Sequence, residues 1–500
     1  MTQEAPVAQI QDAGARPGIS RAAVAWTVLA LLVIAIGIAM RIWFYAYDRS
    51  MYRDEAALAL NIVNRSFAGL FKPLSNDQGA PTGFLTLEKL VVILMGNSEY
   101  SLRLVPLIAS ILSLPFFYWL CRRILTPGGT VFALVVLAMG GKQYDYGAAT
   151  KQYSMDVLAT VVLVLLGTYA LKSRRLAIAL GIAGTIFIWF SHSAVFVLAG
   201  VGAMIAIQWL ATQPRPDPRP LLISFAAWGV SFGANYFFIL RRLSHSTYMQ
   251  TFWGQAGAFA PVPKSLDAVL WYKDTFFQIF ESPLSMGFGG VCALVFLLGI
   301  GALWQKNKAV TVGLILPVIL TLIASAFHKY PFMERLILFI CPLLAIFLGA
   351  GMEFLFTGQR KSVGVITLIF LLITPVNKTR EFIKRPWMHT DARKMLTMVA
   401  RNQQPGDSLC IFEYIWYPYE YYRDRLGIQK LPATCLLQSI NNVDEMRAQI
   451  APMAKGKRVW ILFEDYPDQE QWAKTVLDSM GTKVIEDKPF QDYIACYQLR

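Results

Sequence analysis

The chain has 500 residues, of which 55% are hydrophobic and 16% charged, with a mean hydropathy of +0.45. Soluble domains carry roughly 25% charged residues, so this composition excludes a set of soluble domains and points to a polytopic membrane protein. The net charge of +14 is that of basic membrane loops facing anionic lipid, and no nucleic-acid motif accompanies it.

In chain order, residues 1–22 read as a disordered cytoplasmic N-terminus. The apolar run Ala22–Met40 is too long for a signal-peptide core and reads as a retained span. Apolar runs near 23–45, 101–121, 129–141, 152–171, 176–190, 194–211, 221–240, 286–304, 309–327, 334–356 and 362–376 predict about eleven membrane helices. Alternate loops carry Arg122 and Arg123; Lys172, Arg174 and Arg175; Arg215 and Arg219; Lys306 and Lys308; Arg360 and Lys361. By the positive-inside rule these loops and the N-terminus face the cytoplasm. Residues 46–100, 142–151, 241–285 and the tail 377–500 then face outward. The first of these is structured, with a short helix from Asp54 and an interfacial helix over 84–95. The second is a short polar loop, and the third a long loop rich in aromatic residues.

The tail alternates strand-like segments (408–414, 458–463, 482–486, 493–499) with helical ones (391–401, 467–480), which predicts a small α/β domain. Cys410, Cys435 and Cys496 lie in it and leave one disulfide open; no CxxC or zinc-type spacing occurs.

Three charged clusters stand out. Tyr52-Arg53-Asp54-Glu55 places two acids at a span exit. Neighbouring helix positions point about 100° apart, so the two carboxylates would serve different partners. An N-cap role for Asp54 explains it equally well. Lys151-Gln152-Tyr153-Ser154-Met155-Asp156 opens a span, where ionisable groups are costly; a Lys151–Asp156 ion pair is the plainer alternative. His328-Lys329-Tyr330-Pro331-Phe332-Met333-Glu334-Arg335 and Arg241-Arg242 put cations on the side the positive-inside rule disfavours. Such cations suit a phosphate; a salt bridge of Arg335 with Glu334 or a tail carboxylate is the alternative. His192 reads as a structural histidine.

These stretches, with Gln78-Gly79-Ala80-Pro81-Thr82-Gly83-Phe84-Leu85, Ser98-Glu99-Tyr100-Ser101-Leu102-Arg103-Leu104-Val105-Pro106 and Tyr330 to Pro342, resemble in order and spacing the GT-C superfamily of membrane glycosyltransferases. The closest branch holds protein O-mannosyltransferases and lipid A aminoarabinose transferases. The resemblance implies a mainly α, polytopic GT-C fold over 23–376 with a small periplasmic α/β domain over 377–500, in a bacterial inner membrane. It implies an inverting transfer from a polyprenyl-phosphate sugar to an acceptor hydroxyl on a lipid, glycan or protein. Asp54 would be the general base and Glu55 would orient it or a nearby cation. Arg335, Lys151, Arg241, Arg242 and Lys329 would hold the donor phosphate. Tyr153, Asp156, Asp145, Gln78, Tyr330 and His328 would line the cavity. No cofactor is implied; a divalent ion on Asp54, Glu55 and Asp156 is the one metal site open. The chain departs from the aminoarabinose-transferase pattern at Gln78 and Ala80-Pro81, where that pattern has a Lys before a Pro-Pro pair. Arg53 or Lys72 would then partner the catalytic Asp. A flippase for a lipid-linked saccharide and a membrane scaffold are the alternatives; no internal repeat of the transporter kind is present.

Overall fold

The computed structural model describes residues 21–500, apart from Trp387, His389, Lys430, Pro432, Ser439, 453–456 and Asp465 and the side chains of Thr434 and Cys435. The N-terminal segment expected to be disordered therefore lies, up to residue 20, outside the described residues.

The helices are α1 (Arg21–Ala46), α2 (Arg53–Asn64), α3 (Thr82–Met95), α4 (Glu99–Ile124), α5 (Pro127–Ala138), α6 (Gly141–Gly147), α7 (Tyr153–Gly167), α8 (Arg174–Phe190), α9 (Ala194–Ala211) and α10 (Arg219–Asn235). They continue with α11 (Arg241–Leu243), α12 (Thr247–Gln255), α13 (Leu266–Glu281), α14 (Gly289–Lys306), α15 (Lys308–Ala326), α16 (Cys341–Leu355) and α17 (Lys361–Lys384). A π-turn, Tyr236–Leu240, joins α10 to α11, and a 3-10 segment, Glu334–Ile340, leads into α16. Among the described residues, eight helical segments are long and apolar enough to cross a membrane. With the shorter α5, α7 and α8 they match the eleven expected spans, and the chain is a multi-pass membrane protein.

Local chemistry sets the helix ends. Ser98 and Ser101 form a capping box at α4. Thr126 caps α5, with Pro127 in its first turn. Glycine lets α14 and α16 pack closely: a Cβ on Gly299 would fall 1.8 Å from the Phe347 carbonyl oxygen, and one on Gly351 2.0 Å from that of Val295.

The basic loops gather at one end of the bundle, where Lys306 donates to the Ile124 carbonyl and Arg123 covers the Tyr169 ring. The segments expected to face outward gather at the other end, and two of them differ from expectation. Residues 241–285 are largely helical (α11–α13) rather than loop, and α13 keeps Leu266, Val269 and Leu270 exposed on one side. Residues 142–151 are no exposed polar loop. They form α6, whose Tyr144, Asp145 and Tyr146 are buried. Helix α17 runs eight residues beyond its expected end because Phe382 packs on Trp43, Phe44 and Tyr144.

The tail comprises α18 (Ala392–Asn402), β1 (Ser408–Phe412), α19 (Trp416–Tyr422), β2 (Ala433–Leu437), α20 (Val443–Ile450), β3 (Arg458–Phe463), α21 (Pro467–Met480), β4 (Gly481–Asp487) and β5 (Tyr493–Leu499). The sheet order is β2-β1-β3-β5-β4. The first three strands are parallel; β5 runs antiparallel to both β3 and β4. Alternate residues divide the two faces. Leu409, Ile411, Trp460 and Leu462 share a core with α18, α19, α2 and α3, while Cys410, Phe412, Ile461 and Phe463 pack on α20 and α21. Cys496 is a free thiol, and the side chain of Cys435 lies outside those described.

Glu99 fastens the tail to the bundle. Arg393 reaches it at 3.0 Å, Arg425 at 2.8 Å and the Tyr422 hydroxyl at 2.8 Å. Arg393 also pairs with Asp48 at 2.7 Å. The tail is thereby held over the residues that join α1 to α2.

Candidate active site

Helix α2 begins at Arg53 with Tyr52 at its N-cap, and no side chain caps it. Asp54 is therefore one residue inside the first turn and is not the N-cap. Its carboxylate points instead at Arg335, Oδ2 to Nη2 2.7 Å. Both side chains keep some solvent contact, 30% for Asp54 and 22% for Arg335, so this pair is open to solvent.

Glu55 points elsewhere, as the helical offset requires. It is fully buried and accepts from Arg103 Nε at 3.1 Å, Arg103 Nη2 at 2.9 Å and the Thr150 N–H at 2.8 Å. Arg103 in turn donates to the Arg49 and Ser50 carbonyls at 2.7 and 3.4 Å. Glu55 is therefore closed off from solvent. It ties α2 to α4 and to the loop carrying Lys151, and so positions Asp54. Breaking such a pair leaves a buried charge unmatched, at about 3–5 kcal/mol. Glu55→Leu is expected to lower the unfolding midpoint in detergent strongly, while Glu55→Leu with Arg103→Met should recover most of the loss, as differential scanning fluorimetry would show.

Lys151 is buried, and its Nζ donates to Gln78 Oε1 at 2.8 Å. It does not pair with Asp156. Burial pushes its pKa down to about 8, against the pull of Asp54 in the opposite sense. The ammonium that would bind an anion is thus lost as pH rises through about 8. Binding of an anion such as inorganic phosphate is expected to weaken above that pH, and Lys151→Arg should remove this alkaline loss, as calorimetric titration across pH would show.

Tyr146 and Tyr153 lie against the Arg335 guanidinium, and the Trp253 ring sits 5.6 Å from it. Beyond Gln78 a cavity of about 230 Å³ opens between the 70–82 loop and the end of α10. Lys72, Asp77 and Arg242 are its charged lining, with Phe71, Phe238 and Leu243 among its apolar walls. The structure thus brings together Asp54, Arg335, Lys151, Gln78 and Tyr153, with Arg242 on the rim.

The remaining candidates stand apart. Asp145 is buried in an ion pair with Arg49. Asp156 is buried below Tyr153 and beside Ser191. The Tyr330 hydroxyl donates to the Leu336 carbonyl at 2.7 Å, and the His328 ring stacks on Phe259 at 4.5 Å. Lys329 and Arg241 are exposed. Arg53 turns to the tail rather than to Asp54, its guanidinium 4.4 Å from the Tyr414 ring. Among the described residues no three His, Cys, Asp or Glu side chains gather as metal ligands; Asp54, Glu55 and Asp156 face different partners.

Arg103, Arg49, Tyr146 and Trp253 were not among the expected site residues. For Arg103 a signal existed: an arginine in an apolar helix demands a buried partner.

No family model and no curated protein matches the chain. Solved structures do. ArnT from Cupriavidus metallidurans in the apo state superposes over 95% of this chain and 98% of its own, at 13% identity and a TM-score of 0.53. The same protein bound to undecaprenyl phosphate superposes over 95% and 97%, at 11% identity and a TM-score of 0.54. The likeness is one of fold, spans nearly the whole of both chains, and includes the tail. It is the GT-C fold that the sequence resemblance implies.

Proposed function

We propose that this protein is a glycosyltransferase that moves a sugar from a polyprenyl-phosphate donor to an acceptor hydroxyl at the outer leaflet. The observation that carries the reading is the Asp54–Arg335 contact of 2.7 Å with Lys151 beside it: one carboxylate and two cations meet next to Gln78, which lines the adjoining cavity. The fold shared with a protein crystallised with undecaprenyl phosphate supports the same donor class.

Arg335 and Lys151 would hold the phosphate, and the guanidinium has enough N–H groups to serve Asp54 and a phosphate oxygen together. Asp54 takes the proton of the acceptor hydroxyl. The oxygen then forms a bond to the anomeric carbon as the carbon–oxygen bond to phosphate breaks. The electron pair leaves with polyprenyl phosphate, whose growing charge the two fixed cations stabilise. Attack from the face opposite the leaving phosphate inverts the anomeric configuration. Arg242 and Lys72 suit the path of the phosphate along the adjoining cavity. In this reading the site and the tail face the periplasm of a bacterial inner membrane, an orientation that the basic loops at the far end of the bundle support.

The test is transfer of a labelled sugar by reconstituted protein, with the product anomer assigned by NMR. Inversion is expected; retention would rule out direct attack by an acceptor that Asp54 activates.

A further inference from the structure

The tail brings a second group of side chains to the same site. Its chain leaves β1 for β2 on one side and returns for β3 on the other. The carboxyl ends of β1 and β3 therefore flank a topological switch point, where open α/β sheets form ligand crevices. Tyr414 follows the first of these ends and Tyr466 the second; their rings are 5.2 Å apart, and both are half-buried.

This crevice opens toward the transfer site. The Arg53 guanidinium lies 4.4 Å from the Tyr414 ring and 5.9 Å from that of Tyr417, and Arg53 directly precedes Asp54. Tyr417 is within electrostatic reach of Asp77, Tyr248 and Asp54. Across the gap α12 presents Tyr248, while Trp253 of the same helix covers Arg335. Aromatic rings thus wall the approach on two sides, and Arg53, Asp54 and Arg335 form its floor.

We infer that this crevice is the acceptor site and that the acceptor is a saccharide whose hydroxyl is delivered to Asp54. The inference rests on the transferase reading and narrows its acceptor. A pyranose has an apolar C–H face that packs on a tyrosine ring and an edge of hydroxyls that phenols, carboxylates and a guanidinium can bind. Where the tail merely docks on the bundle, its contacts are the buried apolar core and the Glu99 ion pairs. Tyr414, Tyr417 and Tyr466 are instead half-exposed. A lipid tail would require an apolar wall, which Arg53 and Asp77 do not offer.

The experiment is saturation-transfer NMR on the full-length protein in nanodiscs, with the glycan fraction released from the source cell's envelope as probe. Saturation should reach pyranose ring protons. Tyr414→Ala and Tyr417→Ala should each weaken glycan binding about tenfold, whereas Tyr417→Phe, which keeps the ring, should bind as wild type. Undecaprenyl phosphate binding should be equal in all four proteins. Absence of glycan saturation, or equal saturation in the alanine variants, would overturn the acceptor assignment while leaving the donor site standing. Failure of the wild type to bind undecaprenyl phosphate would instead remove the transferase reading.

Discussion

Asp54→Asn should give a folded protein whose rate of sugar transfer is about 10²–10⁴-fold below wild type, the usual contribution of a positioned general base. Asparagine is nearly isosteric and its amide oxygen can still accept from Arg335, so the 2.7 Å contact has a replacement. Donor affinity should therefore hold while kcat falls. Single-turnover measurements with preformed donor complex would separate the two. Wild-type turnover in Asp54→Asn would exclude the carboxylate from the proton transfer.

Arg335→Ala should fail differently. It removes the cation placed for the leaving phosphate and also strips Asp54 of its charged partner. Loss of one preorganised donor costs about 10²–10³ in kcat, and a weaker grip on the ground-state phosphate should raise donor KM as well. Arg335→Lys restores charge without the planar fork and should recover only part of the activity. Titration of donor against each variant would check this. Full recovery by lysine would show that only charge matters at this position.

The two residues behind these predictions were legible because each breaks a local expectation. Asp54 stands after an apolar run, and Arg335 is a cation where the positive-inside rule disfavours one. Their contact was not legible, because 281 positions separate them and an N-cap explained Asp54 as well. Only the start of α2 at Arg53 decides between the two readings. The helical offset sends Glu55 to a cation of its own, as expected. Which cation was not legible, because Arg103 reaches it only through the packing of α4. Asp145 looked accessible because Lys142 to Lys151 is polar, yet folding into α6 buries it on Arg49.

The spans followed from apolar length alone, and so did four tail strands. Strand β2 escaped because it is only five residues long and shows no period-2 alternation. Helix α19 escaped because Trp416-Tyr417-Pro418-Tyr419 is aromatic and carries a proline, both poor helix signals. Tyr417 of that stretch stands 5.9 Å from Arg53, so the stretch that local propensity described worst adjoins the site.

If Arg335 and Lys151 hold the donor phosphate, the protein must distinguish a lipid phosphate from the same lipid without it. Native mass spectrometry of the purified protein against undecaprenyl phosphate and the neutral alcohol undecaprenol measures that preference. The phosphate should bind at least about tenfold tighter than the alcohol, about 1.4 kcal/mol, with that preference lost in Arg335→Ala and reduced above pH 8. Equal affinity for the two lipids, or a preference that survives Arg335→Ala, would contradict that role for the two cations.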